Sequence, residues 1–214
     1  MNKTTFAVLA LGAASLGASA FASDDVVIHH YSYSLDSINE VSIDGGIGTM
    51  EVIHTDGKEL RVELELEGKR RFLLLNKRDV SEIEVEDRVR GDHLSLRLNE
   101  DELDNVNAHW RVELPSVART HINLGVGQIT AAFADTELEL DVGVGAGDIS
   151  LARRFVGRVE TSAGVGSAEL HGANDTVSKR AIVSEKTYGY GDGHHRMELN
   201  VGVGEMQVRL GDET

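Results

Sequence analysis

Five segments of the chain share one pattern: glycine, a small or branched aliphatic residue, glycine, then alternating polar and apolar positions. The copies begin Gly46-Ile47-Gly48, Gly125-Val126-Gly127, Gly145-Ala146-Gly147, Gly164-Val165-Gly166 and Gly202-Val203-Gly204. Their second glycines are spaced 20 residues from Gly127 to Gly147, 19 from Gly147 to Gly166, and 38, twice 19, from Gly166 to Gly204. The 79 residues from Gly48 to Gly127 are close to four times 20. A fixed period of this size marks architectures in which one turn of chain cannot bury its apolar face alone and stacks on its neighbours. The expected fold is therefore all-β: a single-domain β-solenoid, parallel β-helix-like, with ~20-residue rungs and a more irregular N-terminal part.

Strict alternation precedes each glycine pair, as in a half-buried strand. Leu140, Val142 and Val144 share one parity, as do Ile122, Leu124 and Val126, then Leu199, Val201 and Val203, then Val41, Ile43 and Ile47. Val159, Thr161, Ala163 and Val165 follow the same rule with smaller side chains. After the glycines the parity slips by one, Val126 leading to Ile129 and Val203 to Met206. A slip of one residue sends the apolar set to the other face unless the chain bends. The second glycine is thus expected at a corner joining two short strands of one rung, with the preceding valine inside. Stacking then lines the first glycines up in an outward column. Two readings of that column stay open: a flat docking strip for a partner sheet or polymer, and a corner too tight for any Cβ.

Other uses of paired glycines fail on the residues. No copy reads Gly-x-Gly-x-x-Gly at the opening of a helix, which dinucleotide binding needs. The calcium-binding nonapeptide requires an acid where these copies carry Met50, Ile129, Ile149, Ala168 and Met206. No Gly-Lys-Ser/Thr is present for a phosphate loop.

Elsewhere the alternation persists without glycines, as in Leu60-Val62-Leu64-Leu66 and Leu94-Leu96-Leu98. Gly68 to Asp79 reads as a short helix or loop, Asn99 to Asn107 as an acidic loop, and Pro115 as a strand end. Residues 173 to 196 interrupt the period. There a turn-rich loop gathers Tyr188, Tyr190, Asp192, His194 and His195, the one place where aromatics, an acid and imidazoles come together. It is a candidate site for a metal, a sugar or another small ligand, against the plain reading of a surface loop. Adjacent histidines on a strand point to opposite faces, so a shared metal is not expected, and no metal ligand set or cofactor is assigned. His121, Asp141, Glu160 and Glu198 read as one solvated outward column. No serine lies in Gly-x-Ser-x-Gly, and no catalytic residue is assigned.

Residues 1–22 have the order of a secretory leader: Lys3, an uncharged run from Phe6 to Leu16, and Ala20-Phe21-Ala22 as a cleavage site, favoured after Ala22. The apolar run is shorter than the ~20 residues a membrane span requires. The domain is then 23–214, periplasmic or secreted. Loss of Lys3 takes the formal charge from −15 to −16, which repels phosphate backbones and argues against nucleic acid as a partner. Cysteine is absent, so an exported chain of this kind is held by its core rather than by disulfides.

From Leu114-Pro115 onward the chain resembles the bacterial putative-adhesin family of exported β-solenoid domains. The residues that carry the likeness are that Leu-Pro, the rung Gly147-Asp148-Ile149-Ser150, and the closing Gly191-Asp192-Gly193-His194-His195-Arg196 followed by Gly202-Val203-Gly204-Glu205. The resemblance implies a fold, and by its name an adhesive role; a surface anchor is not recognisable in this chain. The expected function is a non-enzymatic envelope protein, an adhesin-like scaffold or binding module, with an envelope polymer or protein as partner. Self-association through exposed strand edges is expected unless the ends are capped. Alternatives are a polysaccharide-active β-helix enzyme, which needs aromatic platforms and an acid–base pair, and a periplasmic protein binding an ion or small ligand.

Overall fold

The alternating segments Leu60–Leu66 and Leu94–Leu98 form strands, as do the segments around the glycine pairs. The computed structural model describes residues 26–68, 79–99 and 106–212. The expected leader and its cleavage position lie outside the described residues, as do most of 68–79 and most of 99–107. Among the described residues no helix is long and apolar enough to cross a membrane. The N-terminal part runs β1 (Val26–Ser34), β2 (Glu40–Asp44), β3 (Ile47–Thr55), β4 (Glu59–Gly68), β5 (Val85–Arg90), β6 (His93–Leu98) and β7 (Val106–Pro115). Three long strands follow: β8 (Arg119–Phe133), β9 (Glu137–Ala152) and β10 (Val156–His171). A hairpin of β11 (Asn174–Arg180) and β12 (Glu185–Tyr190) then precedes the last strand, β13 (His195–Gly211).

These strands make one sheet. At its centre are parallel levels in the order β6/β7, β2/β3, β8, β9, β13, β10. β2 and β3 are the two halves of one level, each pairing with its own half of β8. Antiparallel strands finish both ends: β4 and β1 beyond β7, β5 beyond β6, and β12 and β11 beyond the first half of β10.

The five glycine segments lie side by side in register, but the order of the levels is not the order of the chain. β13 is inserted between β9 and β10. The 38-residue step from Gly166 to Gly204 therefore joins adjacent levels, and its length is the excursion through the β11–β12 hairpin. Gly48 and Gly127 are also direct neighbours, so the 79 residues between them do not hold four levels. The third copy needs a correction of two residues. Gly145, not Gly147, stands beside Gly127 and Gly204, so the repeat there is Gly143-Val144-Gly145. Gly147 belongs to the core side, where a Cβ would lie 2.5 Å from the Met206 sulfur. Overlapping Gly-x-Gly frames in Gly143–Gly147 conceal the true one.

Backbone crowding explains the glycines. At Gly127 and Gly145 φ is 151° and 147°, a region side-chain-bearing residues avoid. A Cβ added at Gly145 would lie 1.7 Å from the carbonyl oxygen of Gly127, and one at Gly127 the same distance from that of Gly48. Successive levels touch backbone to backbone here, and each long strand runs through the contact as one bent element. Ile122 and Leu124 are buried before the bend, and Ile129, Ala131 and Phe133 after it. The two limbs enclose one continuous apolar cluster.

On the side away from β13, the second half of β10 runs past the short β12 and is covered by side chains. Glu185 accepts a hydrogen bond from the Ala168 N–H (3.3 Å), and the Thr187 hydroxyl donates to the Ala168 carbonyl (2.9 Å). Arg180 and Ser178 hold the same carboxylate. The hydrogen bond from Arg180 is the main reason the Glu185 carboxyl titrates below the ordinary 4.5. A depressed folded value contributes stability that is complete above the unfolded pKa and lost as pH falls through the folded one. Glu185→Gln is expected to cost roughly 1–2 kcal/mol at pH 7, with the gap to the parent chain narrowing as pH falls through the lowered folded-state pKa of Glu185. Urea denaturation at several pH values measures this.

Candidate functional site: an aliphatic ridge on the sheet corner

The strand rule places Val126 and its equivalents inside; the structure puts them outside. Ile47, Val126, Val144, Val203 and Val165 are between 39% and 48% exposed. The parity breaks one residue earlier than expected, so in β8 all of Gly125 to Gln128 face away from the core. The chain crosses the corner with its valine on the convex side.

Strand register lines these residues up. Ile47 pairs with Val126, Val126 with Val144, Val144 with Val203, and Val203 with Val165. At about 4.8 Å per level, the row is roughly 19 Å long. It continues past Val165, because the Gly166 N–H donates to the Val183 carbonyl at 3.1 Å. That bond brings in Val183 and the wholly exposed Ile182 at the tip of the β11–β12 hairpin.

The sides of the ridge are kept low by the same glycines that make the corner. One column is Gly46, Gly125, Gly143, Gly202 and Gly164; the other is Gly48, Gly127, Gly145, Gly204 and Gly166. The open question about the first column has a structural answer. A Cβ at Gly143 would lie 2.4 Å from the carbonyl oxygen of Gly125, and one at Gly202 2.5 Å from that of Gly143. Crowding accounts for the glycines but not for the aliphatic side chains between them, since threonine has comparable strand propensity and suits water better. Beyond the glycines stand two neutral-to-acidic columns. Asp44, Asn123, Asp141, Asn200 and Ser162 are on one side. Ser162 donates to Asn200 at 2.6 Å and Asn200 to Asp141 at 3.1 Å, fixing that rail. Thr49, Gln128, Ala146, Glu205 and Ser167 line the other side. The ridge itself has no titratable group, so what it offers is apolar surface with a 4.8 Å repeat.

The loop singled out from the sequence is differently built. Tyr188 and Tyr190 lie on β12, while Asp192 and His194 are in the turn before β13. Arg153 donates to Asp192 at 3.0 Å, and His195 meets Asp135 at 2.7 Å. The guanidinium of Arg158 lies over the Tyr188 ring. His194 and His195 do not point apart: their rings sit 4.2 Å from centre to centre. His194 precedes the strand, so alternation does not apply to it. Among the described residues no group of three or more histidine, aspartate or glutamate side chains could hold a metal ion.

One other expectation changes. The outward column is His121, Glu139, Glu198 and Glu160, with Asp141 in the neighbouring one. His121 lies 3.3 Å from Glu139. Lys186, with Arg158 beside it, holds the Glu160 carboxyl below its usual range. Trp110, the one tryptophan, is 2% exposed and donates its indole N–H to the Gly45 carbonyl at 3.2 Å. It is a core residue and provides no platform for a sugar ring.

No family model and no curated protein matches the chain. Among solved structures it is similar to a putative cell adhesion protein from Clostridium sporogenes ATCC 15579, with 15% identity, a TM-score of 0.52, and coverage of 87% of this chain and 100% of that one. At this identity the likeness is one of fold. A putative adhesin from Parabacteroides merdae ATCC 43184 shares 7% identity over 71% of this chain and 66% of its own, with a TM-score of 0.34. That score is too low to argue a common fold.

Proposed function

We propose that this chain is an exported, non-enzymatic envelope protein: a solenoid-like β scaffold that serves as an adhesin-like binding module, with the corner ridge as its contact surface. The observation that carries this reading is the in-register row Ile47, Val126, Val144, Val203 and Val165, half exposed along one line. Exposed aliphatic side chains in a contiguous line mark surfaces that are covered in use. The leader-like residues 1–22 support export. The partner is an envelope polymer or protein with an apolar face narrow enough to sit between the two polar rails.

The test is retention of the purified chain by envelope fractions, compared with a Val126→Thr, Val144→Thr, Val203→Thr variant. Threonine keeps the branched shape and strand propensity, so melting should change little. Each valine still has about half its apolar area to bury, worth roughly 1 kcal/mol. Three losses together are expected to weaken retention on the order of 100-fold. Equal retention by the two proteins, or none by the parent chain, would overturn the reading.

A further inference from the structure

We infer that β1 is a strand-addition site at which a second copy of this chain pairs, the two β1 strands running antiparallel about a twofold axis centred on His30. This contact is separate from the ridge, because β1 lies at one end of the sheet.

The inference starts from the sheet's edges among the described residues. The β10 edge is covered by Glu185 and Thr187. β11 is broken in register between Asn174 and Val177, has Asp175 at φ 49°, and carries Lys179 and Arg180. β5 carries Glu86, Asp87, Arg88 and Arg90. Bulges, charges and covering groups are the means by which soluble proteins keep sheet edges from pairing. β1, Val-Val-Ile-His-His-Tyr-Ser-Tyr-Ser, has no lysine, arginine, aspartate, glutamate or proline. It pairs along its full length with β4 and shows no register shift. In a chain of net charge −15, the nine residues of β1 hold no carboxylate to repel another when the strand meets itself.

The hydrogen-bond phase selects the register. Leu35 donates to Lys58, the residue opposite it when the β1–β4 ladder is extended. Odd-numbered residues of β1 therefore bond to β4. The N–H and C=O groups of Val26, Ile28, His30, Ser32 and Ser34 point to the open side. Two such strands overlap fully when His30 faces His30, Ile28 faces Ser32 and Val26 faces Ser34, and this register satisfies all the outward groups with about ten hydrogen bonds. The same register completes the inner face. Val27, Tyr31 and Tyr33 are partly buried against the end of the core, and His29, Tyr31 and Tyr33 stack with ring centres 6.1 and 6.5 Å apart. A second copy sets His29 against Tyr31 and Val27 against Tyr33, pairs of the kind that stabilise antiparallel strands.

Sedimentation of the purified chain over a concentration series, together with two variants, tests this. Ser32→Pro removes an outward N–H and leaves the bonds to β4 intact, a position where an edge strand tolerates proline. His30→Cys gives up only an exposed contact with Glu63 at 3.5 Å and places the only cysteine of the chain on the axis. At a hydrogen-bonded antiparallel pair the Cα atoms are about 5.5 Å apart, within reach of a disulfide. Expected are a reversible dimer of the parent chain, dimerisation at least tenfold weaker in Ser32→Pro, and ready oxidation of His30→Cys to a covalent dimer while Ser32→Cys stays reduced. A parent chain that is monomeric at every concentration overturns the inference. A dimer indifferent to Ser32→Pro with no cross-link at His30→Cys overturns it too, as does a monomer whose β1 edge takes up only strands of other proteins.

Discussion

Gly145→Ala is expected to prevent folding. The added methyl carbon would stand 1.7 Å from the Gly127 carbonyl oxygen and 2.8 Å from its carbon, and both are backbone. No side chain can swing aside. Relief requires β8 and β9 to part, and the column is continuous: Gly204 meets Gly145 and Gly166 meets Gly204 with the same closeness. Adding the positive φ of 147°, the cost exceeds the ~4 kcal/mol at which single substitutions become exceptional. That rivals the whole stability of a domain, roughly 5–15 kcal/mol. Gly57→Ala is the control, because its nearest neighbour would be a backbone nitrogen at 3.8 Å; it should melt with the parent chain. Urea unfolding followed by tryptophan fluorescence separates the two. A Gly145→Ala protein that melts within a few degrees of the parent would mean that the levels do not touch at this corner.

Trp110→Ala carries the second large effect, an expected loss of about 3–5 kcal/mol. The indole fills the core beneath the interruption between β2 and β3. The space above Gly45 is so confined that a Cβ there would lie 2.7 Å from the Met50 methyl, 3.2 Å from Leu124 and 3.7 Å from the indole nitrogen. Truncation leaves a cavity and also strips the Gly45 carbonyl of its buried donor, a group that costs free energy when left unpaired. Trp110→Phe keeps much of the volume and loses the donor, so its cost should fall between the parent and the alanine variant. Circular dichroism melting measures both, since the fluorescent reporter is gone.

Local rules read the strands well because each depends on residues a few positions apart. Leu60, Val62, Leu64 and Leu66 alternate in the sequence and are buried in β4; Leu94, Leu96 and Leu98 do the same in β6. Level order was not legible, because spacing along the chain does not say which levels are neighbours. The 38-residue step looks like two turns of a coil and is one step of the sheet after the β11–β12 excursion. Parity carried through Val126 and Val144 failed for a different reason: alternation holds only while the strand stays straight, and the bend begins one residue before the valine. The site was hidden by that same residue. Valines on the buried parity look like core, and only the corner geometry turns them toward water.

Because cysteine is absent, double-cysteine variants on the ridge test the arrangement of levels most directly. Val144→Cys with Val203→Cys places the two thiols on adjacent levels about 4.8 Å apart, and Val144→Cys with Val165→Cys places them two levels apart, about 10 Å. Disulfides need Cα separations of roughly 4.4–6.8 Å. With β13 inserted between β9 and β10, mild oxidation should link the first pair intramolecularly and leave the second reduced and open to alkylation. A disulfide in the second pair and none in the first would mean that the levels follow chain order, and the ridge as described would not exist.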